Sequence, residues 1–104
     1  MVVTHKKTIR EYGAANPRIG EALRVWQESV EAVSWANPSD VRRTMGYTDQ
    51  IGDERFIFNI KGNHYRLLAA VNFSRRTVYI KGIFTHAEYD DLSKHDLLTL
   101  EYKQ

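Results

Sequence analysis

The spacing of hydrophobic residues divides the chain into a helical first half and a strand-rich second half. After Asn16-Pro17, a pair typical of a helix start, apolar residues recur every three or four positions along one stripe. They are Ile19, Ala22, Leu23, Trp26, Val30 and Val33. Asn37-Pro38 repeats the start signal and predicts a second helix that ends near Gly46. The first half therefore predicts one long amphipathic helix and one short helix.

Weaker signals surround these two helices. Met1 to Thr4 is short and β-branched, which favours an edge strand. Lys7 to Tyr12 predicts a brief helix that Gly13 stops. The side chain of Asn16 is expected to accept a backbone N–H at the start of the following helix. Tyr47 to Asp53 is interpreted as a loop.

The second half alternates apolar and polar residues with the period of a β-strand. The first strand runs from Arg55 to Ile60, and Gly62-Asn63 favours a tight turn after it. Ser74-Arg75-Arg76 predicts a second turn, between the second and third strands. The apolar faces comprise Phe56, Phe58 and Ile60, then Tyr65, Leu67, Ala69, Val71 and Phe73, then Val78, Ile80 and Phe84. The pattern predicts an α+β fold of one domain, residues 1–104, with N-terminal helices packed on one face of an antiparallel β-sheet.

Composition excludes several classes of protein. The chain has 104 residues, 42% of them hydrophobic and 27% charged, as in ordinary globular domains. It has no cysteine, which excludes disulfides, thiolate metal sites and cysteine nucleophiles. No apolar run approaches the roughly 18 residues of a membrane span, and residues 1–7 lack the apolar core of a signal peptide. We therefore expect a cytoplasmic protein without a membrane partner, although a chain without cysteine is also compatible with secretion.

Charge is distributed unevenly along the chain. The net charge is only +2, but the stretch from Arg55 to His86 contains no Asp or Glu. Its basic residues are Arg55, Lys61, Arg66, Arg75, Arg76 and Lys81. If the apolar faces of the strands pack on the helices, the opposite face presents Asn59, Lys61, Arg66, Tyr79 and Lys81. The sequence thus predicts a basic, uncovered sheet face for a phosphate-bearing partner, with a merely solvated sheet face as the alternative.

Two motifs in this stretch resemble the signatures of HigB toxins. Residues 58–67, Phe-Asn-Ile-Lys-Gly-Asn-His-Tyr-Arg-Leu, are similar to one signature, and residues 85–90, Thr-His-Ala-Glu-Tyr-Asp, are similar to the other. Trp26, Trp35 and the segment 37–41 fit the same family, and the resemblance covers nearly all of the chain except the last dozen residues. The chain departs from the family at 82–84, Gly-Ile-Phe, where a second Arg and an aromatic residue are frequent, and at His64, where Lys is frequent.

The resemblance implies a RelE-like fold and an endoribonuclease that cuts messenger RNA, often on the ribosome. It also implies inhibition by an antitoxin of the HigA type, a helix-turn-helix DNA-binding protein from the same operon.

RNA cleavage without a metal uses the 2′-OH of the substrate as nucleophile, with a base, an acid and cations supplied by the protein. The candidates for acid and base are His86, Tyr89 and His64, and their roles stay open. Arg66 is the strongest candidate cation because its planar guanidinium matches two phosphate oxygens. Further RNA-binding candidates are Lys61, Lys81, Asn59, Arg75 and Arg76, with ordinary surface lysines and turn residues as the alternative.

The catalytic candidates also have purely structural alternatives. His86 could cap the end of a strand, Tyr89 could pack against the C-terminus, and Arg66 could pair with a carboxylate on a neighbouring strand. Strict alternation places His86 on the core side beside Phe84, unless the strand ends or twists at Thr85.

No cofactor or metal is expected. His5, His64, His86 and His95 are too scattered to show the spacing of metal ligands, and fingerprints for nucleotide phosphates are absent. Asp90-Asp91 is interpreted as a solvated turn. A non-catalytic RNA-binding module is the alternative function, but it has no need of a His and a Tyr beside its basic face.

Overall fold

A computed structural model describes residues 1–46, 48–52, 54–61 and 64–101. The sheet is built from β1 (Val2–Thr4), β2 (Thr48–Gln50), β3 (Arg55–Ile60), β4 (Tyr65–Asn72) and β5 (Thr77–Thr85). The helices are α1 (Lys6–Ala15), α2 (Pro17–Glu31), α3 (Pro38–Met45), α4 (His86–Asp90) and α5 (Lys94–Thr99). None of these helices combines the length and apolar character that crossing a bilayer requires.

The five strands lie in the order β1-β5-β4-β3-β2. Strands β2 to β5 pair antiparallel in sequence order, and β1 pairs parallel with β5 at the edge. The predicted α+β fold and the edge strand at the N-terminus are therefore confirmed. The prediction of a loop over Tyr47 to Asp53 is wrong for Thr48–Gln50, which pair with Phe56–Phe58. The residues of this strand are polar and show no apolar alternation, so the sequence pattern does not reveal it. Backbone hydrogen bonds to the edge of β3 define the strand instead. Tyr47, Asp53 and the predicted turn Gly62-Asn63 lie outside the described residues.

Helices α1, α2 and α3 bury their apolar stripes against one face of the sheet. Trp26 of α2 meets the Phe58 ring edge-on with centroids 5.4 Å apart, and Trp35 stacks on the same ring at 6.3 Å. The predicted core residues Ile19 and Leu23 are fully buried. This core fixes α2 across β3, and it thereby places the start of α2 near the end of β3.

Gly13 does not end α1, contrary to prediction. The helix continues to Ala15, and a Cβ on Gly13 would come within 3.1 Å of the Gly20 Cα in α2. The glycine therefore permits close helix packing, at a helix-propensity cost of only about 1 kcal/mol.

The two asparagines that precede prolines behave differently. Asn16 does not cap α2 as predicted, because its side chain donates to the Tyr12 carbonyl at 3.0 Å and so closes α1. Asn37 does cap α3 as this residue type predicts, and its side chain accepts from the Asp40 N–H at 3.0 Å.

A β-bulge in β5 reverses the predicted faces of its last residues. Leu68 pairs with Gly82 and Ala69 pairs with Ile80, so Lys81 is an extra residue in the ladder. Past this point Ile83 packs in the helix-side core, and Phe84 packs on the opposite face. The prediction that Phe84 belongs to the helix-side face is therefore wrong, because one unpaired residue shifts the alternation by one.

The opposite face of the sheet is also not uncovered, as had been expected. Ile57 and Leu68 project from it and form a second cluster with Leu97 of α5, together with Phe84 and Leu100. The C-terminal segment thus shields the middle of this face, and only part of the predicted basic surface meets solvent.

Candidate active site

Strand β5 ends at Thr85 because this residue caps the short helix α4. Its hydroxyl accepts from the Glu88 N–H at 3.1 Å, and the Glu88 carboxylate accepts from the Thr85 N–H at 2.8 Å. This reciprocal capping box needs the Thr-x-x-Glu spacing of residues 85–88. His86 is consequently the first residue of α4, so its position is no longer set by the alternation of the strand.

An open pocket of about 480 Å³ lies where β4 starts and β5 ends. The described residues that line it are Arg18, Lys61, His64, Tyr65, Thr85, His86 and Ala87. The backbone N–H of His86 donates to the carbonyl of His64 at 2.9 Å, which joins the two histidine segments. The pocket thus brings together three of the predicted site residues, Lys61, His64 and His86, and this described lining contains no carboxylate.

Lys61 is held at the wall of this pocket by an unusual backbone and a long-range contact. Its φ is 52°, in the left-handed region, and its ammonium donates to the Arg18 carbonyl at 2.8 Å. The contact joins the end of β3 to the first turn of α2. It keeps the positive charge of Lys61 beside the pocket.

A carboxylate outside the pocket contacts His86. The Nδ1 atom of His86 lies 3.0 Å from an oxygen of Asp90, four residues further along α4, and the His86 side chain is 45% exposed. The carboxylate orients the ring through Nδ1. Asp90 is therefore not the bare solvated turn residue that the sequence suggested.

Arg66 and Tyr89 form a second group beside α4. The guanidinium carbon of Arg66 lies 5.5 Å from the centre of the Tyr89 ring, and one of its nitrogens donates to the Tyr65 carbonyl at 3.3 Å. Arg66 is only 8% exposed and pairs with Phe84 across the ladder, on the face away from α1 and α2. The pair does not line the pocket directly. Tyr89 and His86 nevertheless share α4 three residues apart, so the two groups are neighbours.

The C-terminal segment contacts the basic residues at the middle of the sheet. Glu101 contacts the Lys81 ammonium at 2.5 Å and the Arg55 guanidinium at 2.9 Å. Arg55 also donates to the carbonyls of Leu97 and Leu100. The hydrogen bond from Lys81 holds the pKa of the Glu101 carboxyl below its ordinary value. Within the described residues, Arg55 and Lys81 of the acid-free stretch are therefore already paired with a carboxylate.

The remaining predicted RNA-binding residues lie apart from the pocket. Asn59 lines an apolar groove between β3 and α2. Arg75 and Arg76 lie in the turn before β5, and the nine residues of this strand separate them from His86 by about 30 Å. The Arg76 guanidinium donates to the carbonyls of Trp35 and Phe73, which ties the turn to the helical layer.

The sequence interpretation missed Arg18, Tyr65 and Asp90 as neighbours of the site. The spacing of His86 and Asp90 fits one helical turn, but the short α4 was not predicted. Arg18 had no local signal, because its place beside Lys61 depends on how α2 crosses the sheet. Within the described ranges, no group of three or more His, Asp or Glu side chains is arranged to hold a metal ion.

Residues 19–92 match the family described as the HigB toxin, the RelE-like toxic component of a toxin-antitoxin system. The chain belongs to the HigB toxin family. This match confirms the resemblance read from residues 58–67 and 85–90, and it ends before α5. Arg18 and the C-terminal segment lie outside the matched range.

Individual HigB proteins are similar to this chain over different lengths. An mRNA interferase HigB of Escherichia coli O6:H1 is 24% identical over 97 residues, which covers 91% of this chain and 94% of that protein. An mRNA interferase toxin HigB of Escherichia coli K12 is 42% identical over 38 residues, or 36% of each chain. The mRNA interferase HigB of Shigella flexneri matches to the same extent. These names are those of the enzyme class that the sequence motifs imply.

Proposed function

We propose that this HigB-family protein is an endoribonuclease that cuts messenger RNA and is the toxin of a toxin–antitoxin pair. The family and the names of the relatives support the class of reaction. The observation that carries the proposal for this chain is the pocket, in which His64, His86 and the cation Lys61 meet without a carboxylate in the described lining.

In the proposed reaction the 2′-oxygen of the substrate attacks the adjacent phosphorus atom. A base accepts the 2′-OH proton, the bond from phosphorus to the 5′-oxygen breaks, and an acid protonates that oxygen. The products are a 2′,3′-cyclic phosphate and a free 5′-OH, so neither water nor an external nucleophile is consumed. Positive charge near the phosphorane lowers the barrier.

Within this scheme we assign His86 as the acid and His64 as the base. The Asp90 carboxylate contacts Nδ1 of His86 and orients the ring, which leaves the other ring nitrogen for the leaving 5′-oxygen. His64 is exposed and has no carboxylate partner among the residues that the structure describes, so its ring is accessible to the 2′-OH of the substrate. Lys61 supplies positive charge beside the phosphate. Arg66 adds positive charge beside α4 and holds the Tyr89 ring through its cation–π contact.

The test is cleavage of a defined messenger RNA by the purified protein, with the ends of the products analysed chemically. We expect new 5′ ends that carry a hydroxyl and upstream fragments that carry a cyclic phosphate. A matched RNA with 2′-deoxy sugars is the control and is expected to stay intact. Binding of RNA without any cleavage, with or without ribosomes, would instead support the non-catalytic RNA-binding module.

The partners belong to the same proposal. We expect a helix-turn-helix antitoxin of the HigA type to suppress the toxicity, and the reaction on messenger RNA would take place in the cytoplasm. Expression with and without the neighbouring reading frame tests the first point through growth and new 5′ ends in cellular transcripts. Comparison of cleavage with and without added ribosomes tests whether the messenger RNA is cut during translation.

A further inference from the structure

We propose that Arg18 binds an RNA phosphate in the pocket, so that the RNA backbone passes the first turn of α2 on the helix side of the sheet. This inference rests on the proposed function and adds a binding residue that lies outside the matched family range. It follows from the position of Arg18, from the charges around it and from the contacts that already engage other basic residues.

The position of Arg18 is set by the packing of α2. It is the second residue of this helix and lines the same pocket as His64 and His86. Its backbone carbonyl accepts the hydrogen bond from Lys61, so the side chain of Arg18 and the ammonium of Lys61 belong to one wall of the pocket. The start of α2 and the end of β3 together therefore place two cations beside the two histidines.

The charge on Arg18 is not neutralised by the described parts of the protein. Four other guanidinium groups are engaged: Arg24, Arg43 and Arg55 pair with carboxylates, and Arg76 donates to carbonyls. The side chain of Arg18 has neither kind of contact within the described ranges, and it is exposed. A planar guanidinium next to an ammonium, in a pocket whose described lining has no Asp or Glu, attracts phosphate and can bind two of its oxygens.

The opposite face of the sheet offers a less favourable path for RNA. Its cations Arg55 and Lys81 already contact Glu101, and their side chains are only 14% and 16% exposed. A phosphate would have to displace this carboxylate before it reached them. At Arg18 and Lys61 no such displacement is required, which is why we assign the phosphate contact to the helix side.

The substitution Arg18→Ala tests the assignment cleanly, because Lys61 is anchored by the backbone of Arg18 and not by its side chain. Arg10→Ala is the matched control, since Arg10 is an exposed arginine that lines a different groove, between α1 and α2. The probe is a short single-stranded RNA with a 2′-deoxy sugar at the cleavage position, which is bound but not cut. Affinity is measured at several salt concentrations, and melting temperature verifies folding.

We expect Arg18→Ala to weaken binding about tenfold, as for the loss of one charge-assisted contact. It should also reduce the slope of log affinity against log salt by about 0.7, the value for one phosphate contact on a single strand. Arg18→Lys should restore the slope and only part of the affinity, and Arg10→Ala should resemble wild type. If Arg18→Ala and Arg10→Ala bind alike while wild type still cuts RNA, the Arg18 assignment is overturned and the proposed function stands. If wild type neither binds nor cuts RNA, both proposals fail.

Discussion

Lys61 in the pocket at the end of β5, and Arg55 and Lys81 on the sheet face beneath α5, come from the same acid-free stretch of sequence, yet their charges have different partners. In the pocket, the Lys61 ammonium donates to a backbone carbonyl, and the described lining has no carboxylate. Beneath α5, Arg55 and Lys81 share Glu101, which comes from the far end of the chain. A run of basic residues therefore does not define a binding surface until the tertiary structure shows which charges are already paired.

The largest expected effect is on the rate of RNA cleavage, after a substitution in the pocket. His86→Ala should lower the turnover number for RNA cleavage about 10²- to 10⁴-fold, since it removes a group that transfers a proton. His95→Ala is the matched control, because His95 is an exposed histidine on α5. Single-turnover cleavage of a labelled RNA measures both variants. Equal rates for the two variants would move the catalytic group away from the pocket.

The next effect concerns the sheet face. Leu97→Ala removes a side chain that is 7% exposed and packs on Ile57 and Leu68, and it should lower the free energy of unfolding by about 2–3 kcal/mol. Leu98, the adjacent residue, is 39% exposed, so Leu98→Ala should cost less than about 0.5 kcal/mol. Urea unfolding measures both. A small loss for Leu97→Ala would show that α5 does not stabilise this face.

A smaller effect is expected from Asp90, the partner of the proposed catalytic histidine His86. Asp90→Asn removes the carboxylate that orients the His86 ring and should slow cleavage about tenfold, with little change in RNA affinity. Asp91→Asn alters the neighbouring exposed carboxylate and is expected to keep the wild-type rate. A loss of affinity without a loss of rate in Asp90→Asn would contradict the proton-donor role of His86.

The smallest effect is expected from the substitution of Glu101, which should lower the stability of the fold slightly and in a pH-dependent way. The pKa of this carboxyl is lowered in the folded protein. Its ionised form therefore stabilises the fold at pH values above the ordinary pKa of 4.5. That contribution is lost as the pH falls through the folded pKa. Glu101 is 60% exposed, so Glu101→Gln should cost only about 0.5 kcal/mol at pH 7 and less than that at pH 3. Urea unfolding at the two pH values tests this, with the exposed Glu54→Gln as control, and an equal loss at both values would contradict it.

Periodicity predicts the regular parts of this fold well. The stripe of Ile19, Leu23 and Trp26 is buried as expected, and the three main strands pair in the expected order. Local patterns fail where distant segments decide the structure. Gly13 ends a helix by the usual rule, but here it provides room for Gly20. Strand β2 exists only because the edge of β3 accepts it.

The candidate site also combines residues that local sequence predicts with neighbours that only the tertiary structure brings together. Its motifs identify His86 and Lys61 from local sequence, but Lys61 meets Arg18 across 43 residues of chain, so sequence alone could not reveal that neighbour. The contacts of Glu101 with Arg55 and Lys81 depend on the packing of the last helix, α5. This helix has six residues, and a pattern that short does not predict how it packs.

The bulge at Lys81 also limits how this chain can vary in length. Because the extra residue lies between Ile80 and Gly82, the two ends of β5 present opposite alternations to the helices. Deleting Lys81 would leave a regular ladder in which Leu67 still pairs with Ile83 and Tyr65 with Thr85, so Ile83 would stay in the core and α4 would keep its place beside His64. The strand can therefore lose one residue at the bulge without changing the spatial relation of the two histidines, whereas a further single deletion would shift the alternation beyond that point.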